Sequence, residues 1–173
     1  MKLAVRLAAL LTLAVAGAAL AADASLLQSL AGVYKVRFKN GLVTGETYKS
    51  EDVLEIVPTA PRTAYVRAHL DFYNGHQCGI YGIAHVEGAD LVYREPAGKV
   101  PADLRCVLHV TRKGARVVLS DEGGSCKSYC GARGSLADDS FPVSSRRTIR
   151  YMERLKASRE FRDAVAEDTG ARR

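Results

Sequence analysis

The sequence predicts a mainly β protein: a small antiparallel eight-stranded β-barrel followed by a C-terminal α-helix. Three observations predict it. Apolar and polar residues alternate with period two from Val33 to Leu119. Such alternation marks strands with one buried and one wet face. Turn residues punctuate the pattern at Asn40-Gly41, Asn74-Gly75 and Gly88-Ala89. After Ser145 the apolar period changes to that of a helix.

The strands follow in order. Tyr34, Val36 and Phe38 alternate with Lys35, Arg37 and Lys39, which places a strand over 32–39. Strands at 43–49 and 52–57 come next, and Asn40-Gly41 is the first hairpin turn. Ala64, Val66, Ala68, Leu70 and Phe72 share a face over 62–73, and Cys78, Ile80, Gly82, Ala84 and Val86 share one over 77–86. A loop of Asn74-Gly75-His76 between these strands sets Phe72 opposite Cys78 and Leu70 opposite Ile80, keeping one face apolar. The same register sets His69 beside Tyr81 and His85 beside Tyr65. Gly88-Ala89 then pairs Val86 with Leu91 and Ala84 with Tyr93 in a strand over 90–95. Strands at 104–111 and 115–120 follow, with a short one within 133–142. Closing such a meander into a barrel hides its single apolar face and removes its edges; a two-sheet sandwich is the alternative.

In the tail, Ile149, Met152, Leu155, Phe161 and Val165 fall at helical spacing among arginines, with a break expected at Ala157-Ser158. The apolar stripe is expected to pack on the outside of the barrel or to plug one end. Residues from Thr169 onward are expected to be loose.

At the other end, Lys2 and Arg6 precede an apolar run from Leu7 to Leu20, with Ala19-Leu20-Ala21 at the cleavage positions. That is the layout of a secretory signal peptide over 1–22, and the run is short for a membrane span. The expected organisation is therefore a signal peptide at 1–22, a barrel domain at 23–142 and a basic helical tail at 143–173. The expected location is the periplasm or the exterior.

Four cysteines, Cys78, Cys106, Cys126 and Cys130, lie in the exported part. An even number in an exported chain reads as two structural disulfides. Cys78 and Cys106 share the apolar parity of nearby strands, which favours pairing Cys78 with Cys106 and Cys126 with Cys130. A crossed pairing such as Cys78–Cys130 stays open. Redox chemistry would favour a C-x-x-C spacing, which is absent, and the Cys and His spacing is not that of a zinc site.

The net charge of +6 is unevenly spread. Residues 23–145 carry fourteen basic and fourteen acidic side chains, whereas 146–173 carry nine basic and five acidic ones. A neutral body with a basic tail argues against a nucleic-acid groove. The tail reads as a solvated helix face, with weak contact to an anionic envelope surface as the alternative.

No catalytic signature emerges. His69, His85 and His109 fall on polar parity, and His76 sits at a hairpin tip. His69 or His76 with Asp71 would make an acid–base pair, but no nucleophile elbow accompanies either. Glu51 and Asp52 are adjacent on a strand and point to opposite faces. Gly131-Ala132-Arg133-Gly134 lacks the strand-to-helix context of a phosphate loop. No catalytic residue, metal ligand or cofactor is assigned, and the chain is read as a non-enzyme.

The stretches F-Y-N-G-H-Q-C, G-I-A-H-V-E-G-A-D-L-V-Y, C-V-L-H-V and C-K-S-Y-C-G-A-R-G-S-L, within about residues 70–136, carry a resemblance. They resemble small exported bacterial barrel proteins grouped with the LprI-like and MliC-like lysozyme inhibitors. In that family a loop enters the lysozyme cleft, and a short Ser-Gly motif with a basic side chain carries inhibition. This sequence departs from the Ser-Gly pattern; Ser128, Tyr129 and Arg133 are its nearest chemical equivalents. The chain is read as a monomer, and the resemblance implies a lysozyme-like hydrolase as its partner. Lys127, Ser128, Tyr129, Arg133 and His76 are then the candidate partner-binding residues. The rival reading is a barrel that carries a small apolar ligand, or a non-enzymatic envelope module.

Overall fold

The computed structural model describes residues 21–98, 100–137 and 139–171. Most of the expected signal peptide, residues 1–20, lies outside them. A helix, α1, covers residues 21–30. Eight strands follow: β1 (Gly32–Gly41), β2 (Thr47–Ala60), β3 (Thr63–Asp71), β4 (Gln77–Glu87), β5 (Asp90–Arg94), β6 (Val107–Lys113), β7 (Arg116–Asp121) and β8 (Ser140–Pro142). Two helices end the chain, α2 (Met152–Lys156) and α3 (Arg159–Ala171).

Each strand pairs antiparallel with the next, in the order β1 to β8. The sheet curls into a nearly closed barrel. Val33 and Arg147 exchange backbone hydrogen bonds of 2.9 and 2.8 Å, so the segment after β8 meets the start of β1. Across the same seam the rings of Tyr34 and Phe141 meet edge to face at 6.4 Å. The tail is thus stitched into the barrel before its helices begin.

The period-two pattern places Tyr34, Leu54, Ile56, Leu70, Leu91, Leu108, Leu119 and Phe141 inside, all almost fully buried. Each such side chain contributes roughly 1.5–3 kcal/mol relative to exposure. Leu27 and Leu30 of α1 join this cluster, and the Tyr34 hydroxyl donates to the Leu30 carbonyl at 2.8 Å. A second cluster lies outside the barrel. Ile149, Leu155 and Ala164 of the tail pack on Val33, Val57, Tyr65 and Ile83, with Phe161 against the Tyr65 ring. Of the two positions expected for the tail stripe, the outer one is occupied, and the core takes up α1 instead.

Several local expectations are corrected. The strands expected at 43–49 and 52–57 form the single strand β2. Its inner parity runs Tyr48, Ser50, Asp52, Leu54, Ile56, so polar residues at inward positions broke the hydrophobic pattern without breaking the strand. Asn40-Gly41 is not a turn: it pairs with Tyr48 and Thr47, and the loop is 42–46. The buried Asn40 amide donates instead to Ser50 Oγ and to the Phe72 carbonyl.

Leu70 faces Cys78 and Ala68 faces Ile80, a slide of two residues that preserves the apolar face. The reason is a longer loop: Phe72 N–H bonds the His76 carbonyl around a tight turn at Tyr73–Gly75, with Asn74 at φ 61°. The slide sets Gly79 opposite His69 and Thr63 opposite His85, in place of the tyrosines expected there. Val86–Leu91 and Ala84–Tyr93 pair as expected. Leu104 ends a short helical turn and is exposed, so β6 starts only at Val107. The break at Ala157-Ser158 separates α2 from α3, whereas Thr169 to Ala171 continue α3 rather than fraying.

Candidate functional site

The two disulfides are Cys78–Cys130 and Cys106–Cys126. The favoured pairing is corrected to the crossed one. β5 runs between β4 and β6, which holds strands that far apart in the sheet order at about two spacings of 4.8 Å. That is too far for Cys78 and Cys106, because a bridge needs Cα atoms within about 7 Å. The segment after β7 supplies both partners instead. It crosses one end of the barrel and is bolted to β4 by Cys130 and to the start of β6 by Cys126.

Hydrogen bonds complete the attachment. Gly131 N–H donates to the Gln77 carbonyl at 2.8 Å, and Cys126 N–H donates to Asp121 Oδ2 at 3.1 Å. Ser125 Oγ accepts from Val107 N–H at 3.0 Å. Gly134 is buried against the bridge: a Cβ there would lie 2.7 Å from Cys78 Sγ and 3.3 Å from the Phe72 ring. That close approach explains the second glycine of the C-G-A-R-G stretch.

The five candidate partner-binding residues all lie at this end. Lys127, Ser128 and Arg133 are exposed. His76 is half-buried beside the segment, where a Cβ on Gly131 would lie 3.1 Å from its Nδ1. Tyr129 turns inward. Its ring packs on the barrel core, and its hydroxyl donates to Glu95 Oε1 at 2.9 Å. Glu95 is buried, and its other oxygen accepts Cys106 N–H at 3.1 Å. Burial, together with Tyr93 and Glu95, raises the Tyr129 pKa far above the phenolic range. Tyr129 therefore anchors the loop, while Lys127, Ser128 and Arg133 face solvent. Glu95 had no signal in the sequence beyond preceding Pro96.

The remaining titratable groups are distributed over the barrel. His69 Nε2 lies 3.3 Å from Asp71 Oδ1, with no nucleophile among the described residues bonded to either. His85 Nε2 meets Asp168 Oδ1 at 2.9 Å and joins β4 to α3. His109 is clamped between Asp90 Oδ2 at 3.1 Å and Glu122 Oε1 at 2.9 Å. Burial lowers its pKa, but these two hydrogen-bonded carboxylates outweigh burial and leave it raised. Asp52 is pushed up to about 6, first by burial and then by the nearby charges of Asp139 and Asp71; the Asp71 N–H bond opposes the shift.

Glu55 is buried under the tail, paired with Arg67 Nε at 2.7 Å and hydrogen-bonded by the Tyr151 hydroxyl. Among the described residues no group of three or more His, Cys, Asp or Glu side chains is placed to hold a metal ion. Among them, too, no helix is long and apolar enough to cross a membrane. Comparison with protein-family models, with curated proteins and with solved structures finds no match.

Proposed function

We propose that this protein is an exported binding protein, not an enzyme, and that its cross-linked end loop docks on a lysozyme-type peptidoglycan hydrolase and inhibits it. One observation carries the reading. The segment from Cys126 to Gly134 is fastened by two disulfides to β4 and to the residue just before β6, yet leaves Lys127, Ser128 and Arg133 exposed. A loop ordered in advance loses little entropy on docking. A glycoside hydrolase cleft carries two carboxyl groups, and a cation held rigidly on a loop is complementary to them. The carrier reading is less well supported, because the barrel interior is occupied by its own side chains from Tyr34 to Phe141. Two disulfides are consistent with an oxidising location outside the cytoplasm.

The test is a turbidity assay of lysozyme on cell walls with the purified, oxidised protein. Dose-dependent protection that is weakened at least tenfold by Lys127→Ala with Arg133→Ala, at unchanged melting temperature, supports the proposal. No protection at large excess over several lysozyme types rejects it.

A further inference from the structure

The sequence divides its charge into a neutral body and a basic tail, but the fold brings the two together on one face. β1 carries Lys35, Arg37 and Lys39 at alternate positions of its outer side. Lys49 lies directly opposite Lys39 on β2. The Val33–Arg147 bridge then sets Arg147 and Arg150 beside the same strand. Two grooves, of about 530 and 740 Å³, meet at Arg37 and are lined by these six cations. Among the described residues no carboxylate lines either groove. Glu51 pairs with Lys35 and Arg37 from the side. Lys39, Lys49, Arg147 and Arg150 have no carboxylate partner among the described residues.

We propose that this face binds a linear acidic polysaccharide, one whose sugar rings carry carboxylate or phosphate groups. Alternate residues of a strand repeat at about 6.8 Å, so the cations of β1 form a row suited to an extended polyanion. Thr47, Ser145 and Thr148 line the grooves among the cations and offer hydroxyls to sugar hydroxyls.

Other anions fit less well. A bilayer would engage protruding apolar side chains, yet the exposed large ones, Val43, Tyr73, Tyr81, Leu104 and Val165, all lie outside both grooves. A peptide strand added beside β1 would be stopped at its start, because Arg147 bonds Val33 there and Phe141 packs on Tyr34. Single-stranded nucleic acid binds through aromatic platforms; of the groove aromatics, Phe38 and Tyr48 lie on the inner parity of β1 and β2, opposite to the cations, and the half-buried Tyr151 has its hydroxyl committed to Glu55. The direct opposition of Lys39 and Lys49 opposes folding, and an anion between them relieves it. This face involves neither disulfide nor Arg133, so it stands apart from the inhibitor reading.

The experiment titrates the oxidised protein with polygalacturonate by calorimetry at 50 mM and 300 mM NaCl. Neutral dextran, vesicles containing phosphatidylglycerol and an oligothymidylate are the comparison probes. Saturable binding to polygalacturonate, weakened at least tenfold at the higher salt and absent with dextran, is expected. K49E is expected to weaken binding at least tenfold while melting at or above the parent temperature, because it creates a cross-strand ion pair with Lys39. K127A with R133A is expected to leave binding unchanged. No binding to polygalacturonate, tighter binding to vesicles or oligothymidylate, or full affinity in K49E would overturn the proposal.

Discussion

The Tyr129 hydroxyl donates to Glu95 Oε1 2.9 Å away, beneath the loop that carries the two bridging cysteines. This joins the loop that exposes Lys127, Ser128 and Arg133 to one of the protein's few buried carboxylates. Removing one side of a buried hydrogen bond leaves the other unsatisfied, at about 1–3 kcal/mol. Tyr129→Phe is therefore expected to lower unfolding free energy by that amount in urea titration. If Tyr129 were a docking residue with no anchoring role, the variant would keep its stability and lose only binding.

The disulfides differ in the chain they enclose. Cys78–Cys130 spans 52 residues and Cys106–Cys126 spans 20. Loop-closure entropy assigns them about 4 and 3 kcal/mol. Because the shorter loop is nested in the longer one, their joint removal is expected to cost less than the sum. Peptide mapping of the oxidised protein checks the pairing, and melts of the two Cys→Ala pair variants check the ranking. A Cys126–Cys130 peptide would refute the arrangement outright.

Acidity should stabilise the fold between pH 8 and pH 5. Asp52, raised to about 6, holds its proton more tightly folded than unfolded. Its favourable contribution is complete below about pH 4 and is lost as pH rises through about 6. His109 is also raised, so its contribution is present below the ordinary imidazole range and is lost as pH climbs through its folded value. Asp52→Asn keeps an acceptor for the Asp71 amide and removes the buried charge. It is expected to add about 1–2 kcal/mol at pH 8, allowing for solvent screening, and to flatten the pH 4–6 limb of the stability curve. Urea titrations across that range decide it, and an unchanged limb counts against Asp52 as its source.

Gly82 has no room for a side chain. A Cβ there would lie 2.1 Å from the Tyr93 ring, which is buried over β4. Gly82→Ala is expected to cost about 1–3 kcal/mol through overpacking, with much of it recovered on Tyr93→Leu. A double-mutant cycle measures that coupling, and simple additivity would show that the ring is not the obstacle.

Much of the barrel was legible because its signals are local. Alternation at Tyr34, Val36 and Phe38 set the inner face of β1, and Gly88-Ala89 set the β4–β5 register. Reading failed where polar residues took inward positions, as at Ser50 and Asp52, since hydrophobic contrast vanishes there. It failed at Asn40 because a residue common in turns was instead used for buried hydrogen bonds. Within the candidate loop the sequence does not separate the roles of its side chains. Only burial distinguishes Tyr129, which anchors, from Lys127 and Arg133, which project.

Strand alternation, turn chemistry and the change of period after Ser145 depend on neighbours within a few residues, so the chain alone settles the meander and the tail helices. Disulfide pairing, barrel closure and the charge of a face depend on separations set by the whole sheet. β5 must intervene before Cys78 and Cys106 are seen to be apart. Arg147 must reach Val33 before a neutral body and a basic tail become one cationic surface. Those contacts join residues up to 114 positions apart, and no local pattern encodes such a distance.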